Sequence, residues 1–338
     1  MSTIHRPAPT RPSNRNPFRQ PEPFLRPEPN RPGGRKPRRA GGAAIEHRPQ
    51  THARQRAITI AWVTRLHLPK PSLVASDVDG TLIDPSERVS ARTKAAVAAV
   101  VDDGVPFVLA TGRPPRWVAP VVDGLGYAPL CVCGNGAVVY DSATDRVLAS
   151  STLDVDTLAW LADIAERTLP GCGLAAERIG ASAHDAATPQ FVSSPEYEHA
   201  WLNPDDTAVA RHEVIDAPAI KMLIRLPGAL SGEMRDALAP LVGDRADITY
   251  STDHGLIELS APGITKASGL AVVAERLRVD PSTMVAFGDM PNDVPMLTMA
   301  GNGVAMANAH QEALAVADEV TTTNADNGVA RVLERWWG

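Results

Sequence analysis

Residues 73–84 read LVASDVDGTLID. A short apolar run gives way to two aspartates, Asp77 and Asp79, one residue apart, and then to Gly80 and Thr81. Four mostly apolar residues before a turn read as a buried strand rather than a helix, because a helix needs a longer periodic pattern. Like charges this close repel, so the turn needs something that repays the repulsion.

The pattern repeats outward from that point. VPFVLATGR (105–113) and PLCVCGNGA (129–137) are apolar runs that end in polar or glycine turns, and TMVAFGD (283–289) ends in GDMPND (288–293). Helical segments lie between them. Residues 90–104 read as a helix with Ser90 as its N-cap and Gly104 near its end. Residues 115–126 read as a helix that Pro120 must bend or shorten. Helices are also expected over 265–279, 291–300, 310–318 and 327–337, with strands near 302–309 and 317–324. AVVYDSATDRVLAS (137–150) alternates around a polar centre, as a hairpin does.

Between about 150 and 262 the pattern changes. A helix over 153–171 is followed by short strands, a strand over 219–227, a helix over 230–243 and a pair of strands over 246–262. The frame on either side alternates strand and helix. The expected fold class is therefore α/β, a parallel doubly wound sheet with an inserted α+β domain. The expected division is 63–150 and 263–338 for the core and 151–262 for the insertion, after a head of residues 1–62.

The 338-residue chain has a net charge of −6, which conceals a split. Residues 1–70 hold 15 Lys and Arg against 3 Asp and Glu, whereas the remainder holds 18 against 36. An acidic body argues against nucleic-acid substrates, which call for basic surfaces. No run of about 18 apolar residues offers a membrane span. The three cysteines, Cys131, Cys133 and Cys172, are too few for a disulfide framework and fit a reducing, cytoplasmic setting. Cys131 and Cys133 lack zinc-site spacing and read as buried strand thiols.

The head is rich in Pro and Arg and poor in aliphatic residues, so residues 1–56 read as disordered. Two readings stay open: a basic tail for an anionic surface or nucleic acid, or a start of translation at or near Val63. An organellar transit peptide fits poorly, because the segment is proline-rich and poor in serine.

In an open parallel sheet, ligands bind beyond the carboxyl ends of the strands. The turns DVDGT (77–81), ATGR (110–113), CGNGA (133–137) and GDMPND (288–293) then meet along one edge, and Lys266, at the start of a helix, joins them. Asp77, Asp79 and Asp289 would repel one another without a cation, and hard oxygen ligands suit Mg²⁺. Thr111, the Gly112 amide and Lys266 supply donors for a phosphate. Each element alone has a plainer reading. DxD turns and GDMPND are also helix caps, and most lysines are simply solvated. Together, in this order and at these positions, they point to one site.

From about Leu73 to the C-terminus the chain resembles the haloacid dehalogenase-like (HAD) superfamily, with DVDGT, ATGR, Lys266 and GDMPND matching its four motifs in order. The inserted domain, CGNGA and the stretch AGNGVAMANAHQEALAVADEVTTTNADNGVARVLE resemble its Cof-type branch with a type IIB cap. That resemblance implies a Rossmannoid core and a Mg²⁺-dependent phosphatase of small phosphate monoesters, either sugar phosphates or phosphorylated cofactors. It implies Asp77 as nucleophile and Asp79 as general acid/base, with Asp77, the Asp79 carbonyl and Asp289 on the metal. Thr111, Gly112, Lys266 and Asn292 would bind the phosphoryl group, and Asp293 would steady Lys266 or the metal's water shell from just outside. A phosphosugar mutase or a non-catalytic phosphometabolite-binding protein remain alternatives.

The cap should set substrate choice. Asn135 and Gly136 either touch the leaving group or serve conformation alone. Lys221 either faces the site or points outward from its strand. Arg178, His184, Arg211, His212 and His254 are further polar candidates, with His254 beside Gly255 reading as a turn residue. The expected partner is a small phosphorylated metabolite, not nucleic acid or a membrane, and the expected assembly a monomer or homodimer. Mass spectrometry of the native protein tests the head: a translation start at or near Val63 predicts no peptide from residues 1–56, and finding one refutes it.

Overall fold

β1 (Leu73–Ser76), β2 (Phe107–Ala110) and β3 (Leu130–Cys133) show why the sheet is buried on both faces. Alternate residues of a strand point to opposite sides. Val74, Phe107, Leu109, Cys131 and Cys133 lie in one apolar cluster, while Leu73, Ala75, Val108, Ala110 and Val132 lie in a second. The structure is a computed structural model that describes residues 69–185, 189–200 and 203–338. The head of residues 1–62, with its expected disorder and start site, lies outside the described residues. Those from Pro71 to Gly338 belong to one compact unit.

The first apolar cluster is covered by α1 (Ala91–Asp102) and α2 (Ala119–Leu125), joined by a C-terminal helix. Ser90 caps α1 by accepting a hydrogen bond from the Thr93 amide. The helix expected over 115–126 is broken into a 3-10 turn at Pro115–Trp117 followed by α2. Pro120 thereby falls in the first turn of α2, where its missing N–H is not needed. After β3 a tight turn leads into the expected hairpin, β4 (Val138–Asp141) and β5 (Arg146–Ser150).

The chain then leaves the sheet. α3 (Val155–Thr168) precedes β6 (Gly173–Glu177), β7 (Phe191–Ser193), β8 (Asp206–Ala208) and β9 (Lys221–Arg225). α4 (Ser231–Val242), β10 (Asp247–Thr249) and β11 (Leu256–Ser260) complete a separate six-stranded sheet in the order β10-β11-β9-β6-β7-β8. α3 and α4 cover one of its faces through Leu158, Leu161, Met234 and Leu238. The helix-free face carries Leu223 and Leu256 and, by strand alternation, Glu177, Lys221 and Glu258.

On return, α5 (Lys266–Leu277), β12 (Met284–Gly288), α6 (Val294–Met299), β13 (Asn302–Ala305), α7 (Gln311–Val316), β14 (Glu319–Val320) and α8 (Gly328–Trp337) finish the core. α8 closes the first apolar cluster with Val329, Val332 and Leu333, and α5 closes the second with Leu270 and Val273. The eight-stranded order is β14-β13-β12-β1-β2-β3-β4-β5. The run from β14 to β3 is parallel, and the β4–β5 hairpin adds an antiparallel edge, so the sheet is mixed rather than wholly parallel. The helix expected over 291–300 begins as a 3-10 turn at Pro291–Asp293 before α6. Among the described residues no helix is long and apolar enough to cross a membrane. The three cysteines are free and buried, as expected for Cys131 and Cys133.

Gly136 shows how tightly the β3 turn meets α5. Its φ is +107°, and a Cβ there would lie 1.9 Å from the Thr265 carbonyl oxygen. Of the two readings left open by the sequence, the conformational one accounts for Gly136: it lets the turn touch the residue before Lys266. Gly136→Ala is expected to cost about 3 kcal/mol of stability, because it combines an unfavourable φ with a backbone clash. Urea denaturation measures this, and an unchanged midpoint would contradict the close approach.

Candidate active site

β1 delivers Asp77 to the edge of the sheet. The Asp77 amide donates to the Phe287 carbonyl at 2.9 Å, extending the β1–β12 ladder by one residue. Asp77 is only 5% exposed. The chain then winds through one wide turn, Val78–Leu82, in which Gly80 has φ +76°. A Cβ on Gly80 would lie 2.2 Å from Asp289 Oδ2, so only glycine lets this turn reach the end of β12.

The same turn separates the two opening aspartates. Asp79 swings away from Asp77 and receives both arms of Arg113, Nε to Oδ2 at 2.8 Å and Nη2 to Oδ1 at 2.5 Å. Arg113 is buried, whereas the Asp79 side chain is 44% exposed. Burial opposes charge on Arg113, but the Asp79 carboxylate outweighs it and holds the guanidinium pKa above its usual value. Arg113 belongs to the ATGR turn, yet sequence reasoning gave roles there only to Thr111 and Gly112. Its signal was its place in that turn; its partner lies 34 residues earlier in the chain.

Asp289 and Asp293 follow β12. Thr81 Oγ1 donates to Asp289 Oδ1 at 3.2 Å. Asp293 Oδ2 accepts from the Asp289 and Met290 amides, each at 2.9 Å. Lys266, the first residue of α5, reaches Asp77 Oδ1 at 2.5 Å and Asp293 Oδ1 at 2.6 Å. The α5 start is fixed by Thr265, which accepts from the Ser268 amide while Ser268 answers back.

The side-chain trio that could share a cation is therefore Asp77, Asp289 and Asp293, with ligand atoms within 4.8 Å of one another. The expected metal ligands were Asp77, Asp289 and the Asp79 carbonyl, with Asp293 just outside. The Val78–Leu82 turn takes Asp79 off the strand, and its carboxylate goes out to Arg113. Both Asp293 oxygens are already engaged, by Lys266 and by two amides, so Asp293 braces the site while Asp77 and Asp289 offer open oxygen. All three are buried. Burial pushes the Asp77 pKa up to about 7 against the pull of Lys266. Burial, then the charges of Asp77 and Asp293, raise Asp289 well above the usual carboxylate range. Burial disfavours charge on Lys266, but Asp293 and Asp77 prevail and raise it. This donor set fits a small hard cation: all oxygen, anionic, and short of two positive charges even with Lys266 in place.

Thr111 is fully buried, and its Oγ1 accepts from the Arg113 amide at 3.1 Å. The β2 and β3 turns are laced together, since the Asn135 amide donates to the Thr111 carbonyl and the Gly134 amide to the Arg113 carbonyl. Lys221 faces inward from β9. Its ammonium sits 3.0 Å from Glu258 Oε1 and 3.0 Å from the Gly112 carbonyl. Asn135 Nδ2 donates to Glu258 Oε2, and Asn292 Nδ2 donates to Asn135 Oδ1 at 3.0 Å. Arg116 crosses from the core to Glu177 Oε1 at 2.6 Å and to Asp205 Oδ2 at 2.8 Å.

Other cap candidates lie elsewhere. Arg211 binds Glu166 and the Cys172 carbonyl, and Arg178 binds Asp216. His184, His212 and His254 are exposed, and His254 occupies the turn before Gly255. No local pattern marks Glu177, Glu258 or Arg116, each an ordinary charged residue until the cap sheet faces the core.

A family model of haloacid dehalogenase-like hydrolases matches residues 74–333. Among curated proteins, the chain is 28% identical over 264 residues to the 5-amino-6-(5-phospho-D-ribitylamino)uracil phosphatase YcsE of Bacillus subtilis, covering 78% of this chain and 95% of that one. It is 30% identical over 283 residues to a second B. subtilis phosphatase of the same name, YitU, covering 79% and 98%. Its fold matches a phosphatase of the same superfamily from Bacteroides thetaiotaomicron with a TM-score of 0.65, at 24% identity and 79% and 97% coverage. A HAD subclass IIB sugar phosphatase matches at a TM-score of 0.66, 21% identity and 78% and 98% coverage.

The buried trio makes a thermal prediction. In metal-free protein, Asp77 keeps a proton that the unfolded chain releases near pH 4, so its contribution to stability is lost as pH rises from about 4 through about 7. A divalent cation held by Asp77 and Asp289 would need both deprotonated, so a rise in Tm on adding Mg²⁺ should be larger at pH 8 than at pH 6. Asp289→Asn should raise Tm in EDTA by relieving repulsion and should abolish most of the Mg²⁺ shift. An undiminished shift in that variant would place the cation elsewhere.

Proposed function

The chain belongs to the haloacid dehalogenase-like hydrolases, and on that premise we propose that it is a Mg²⁺-dependent phosphatase of small phosphate monoesters, sugar phosphates or phosphorylated cofactors. One observation carries the reading: a buried carboxylate, Asp77, lies 2.5 Å from a buried ammonium, while Asp79, two residues on, is turned out to Arg113. A site with that division has one carboxylate to attack and another to move protons. The relatives named for a phosphorylated ribitylaminouracil support a small metabolite as substrate.

In this reading Asp77 attacks phosphorus and forms an aspartyl-phosphate while the ester oxygen leaves. Asp79 gives that oxygen a proton, then takes one from the water that attacks the aspartyl-phosphate. Lys266, with Thr111 and the Gly112 amide, binds the phosphoryl oxygens as their charge redistributes. Asp293 keeps the Lys266 ammonium aimed by its 2.6 Å contact. Asp77, Asp289 and the Asp79 carbonyl would hold Mg²⁺, which when bound supplies charge neutralisation at the phosphoryl group. Arg113 fixes the direction of the Asp79 carboxylate and keeps it off the cation.

A panel of sugar phosphates, nucleotides and phosphorylated vitamins, read by phosphate release with Mg²⁺, tests the proposal. Asp77→Asn should lower kcat by at least about 10³-fold, and Asp79→Asn by about 10²- to 10⁴-fold, the usual range for an acid/base group. Full activity in Asp77→Asn would overturn the assignment. Hexose-phosphate isomerisation without phosphate release would point to a mutase instead.

A further inference from the structure

Arg113 has three nitrogens to place. Nε and Nη2 take the two oxygens of Asp79, and Nη1 donates to the Trp117 carbonyl at 3.3 Å. A forked arginine–carboxylate pair is rigid within itself. It can still swing as a unit about the torsions of the arginine chain, and the Trp117 carbonyl is a third point that limits the swing.

Trp117 ends the 3-10 turn Pro115–Trp117. Two backbone hydrogen bonds close that turn, from the Trp117 amide to the Pro114 carbonyl at 3.0 Å and from the Val118 amide to the Pro115 carbonyl at 3.2 Å. Bonds of the 3-10 type have poorer geometry than those of an α-helix, so a single short turn has little stiffness of its own. The cap supplies more. Asp205, just before β8, accepts on one oxygen, Oδ2, from the Trp117 indole N–H at 2.7 Å and from Arg116 Nε at 2.8 Å. The Arg116 guanidinium lies 4.9 Å from the centre of the Trp117 ring and is held by Glu177 as well. A line of direct contacts therefore runs from the cap to the catalytic edge through Asp205, Trp117, Arg113 and Asp79.

We propose that Asp205 is a positioning residue for Asp79. By holding the Trp117 indole it sets the Trp117 carbonyl, hence Arg113, hence the direction in which the Asp79 carboxyl meets the oxygen of the leaving alcohol. The cap then governs proton delivery as well as substrate choice. The inference rests on the phosphatase reading above, in which Asp79 is the acid.

An alcohol leaves poorly without a proton, whereas nitrophenolate is a stable anion that leaves unaided. The ratio of kcat/KM for ribose 5-phosphate to that for p-nitrophenyl phosphate therefore reads proton delivery in the first step, because kcat/KM measures the transition state from free enzyme and substrate. Asp205→Ala should lower the ratio about tenfold or more, since a misplacement of about 1 Å can cost 10²-fold. Trp117→Phe keeps a ring beside Arg116 and the backbone carbonyl but removes the indole N–H. It should lower the ratio likewise, and the double variant no further, because both changes break one contact. Asp205→Asn keeps an acceptor for the indole and should restore most of the ratio. Partial unfolding lowers both esters alike and leaves the ratio intact.

An unchanged ratio in Asp205→Ala or in Trp117→Phe overturns the proposal, as do losses that multiply in the double variant. So does a wild-type protein that hydrolyses p-nitrophenyl phosphate and leaves ribose 5-phosphate intact. Asp79→Asn tells this failure from that of the reading beneath it, and should lower the ratio at least as far as Asp205→Ala. If Asp79→Asn leaves the ratio unchanged, Asp79 is not the acid and the proposal falls with that assignment. If neither ester releases phosphate with Mg²⁺, the phosphatase reading itself fails.

Discussion

The site depends on the placement of one ammonium, that of Lys266, between Asp77 and Asp293. Three carboxylates are buried within a few ångströms, and burial of unpaired charge is among the largest penalties a fold can carry. Lys266 neutralises part of it and spans elements that are distant in the chain. Asp77 follows β1, Asp293 precedes α6, and Lys266 begins α5. The rest of the core holds those three ends in register. The parallel pairing of β1 with β12 sets Asp77 beside Asp289, and the Gly136 turn lets α5 approach closely enough for the lysine to arrive. The remaining negative charge leaves the trio short of a cation.

The cap is tied to this edge by charge rather than by apolar contact alone. Its helix-free face puts Glu177, Lys221 and Glu258 against Arg116, the Gly112 carbonyl and Asn135. Removing one partner of such a buried pair typically costs 3–5 kcal/mol, because the other charge stays buried alone. A polar seam of this kind seats the cap in one register on the phosphate-binding turns. It also carries orientation information, since the acceptor-only end of each chain of hydrogen bonds fixes the direction of the rest.

Much of this was legible before any coordinates. The apolar runs of four or five residues ending in polar turns announced parallel strands, and the change of pattern near residue 150 announced an insertion. The hairpin, the Ser90 cap and the roles of the four turns as one edge followed from local chemistry. Where local reading fell short, the reason was a contact between distant segments. Pro120 was seen to disturb its helix, but only packing moved the helix start so that the proline fell in its first turn. Lys221 could have faced either side of a strand until the strand had neighbours. Asp79 was expected to reach the metal through its carbonyl, and only the Val78–Leu82 turn and Arg113, 34 residues on, decided where its carboxylate goes.

The sequence by itself determined the elements, their order and the inventory of the site: two aspartates after the first strand, a threonine and glycine after the second, a lysine at a helix start and an Asp-Asn-Asp cluster after the late strand. Those are local facts of residue type and spacing, and local chemistry reads them. Only the tertiary structure decided which carboxylates share a charge and that Asn292 donates to Asn135. It also decided that Arg113 takes the Asp79 carboxylate and that Glu258 faces the core. These are matters of direction, and direction is set where segments 34, 123, 157 and 189 residues apart in the chain meet, a separation across which no local pattern carries information.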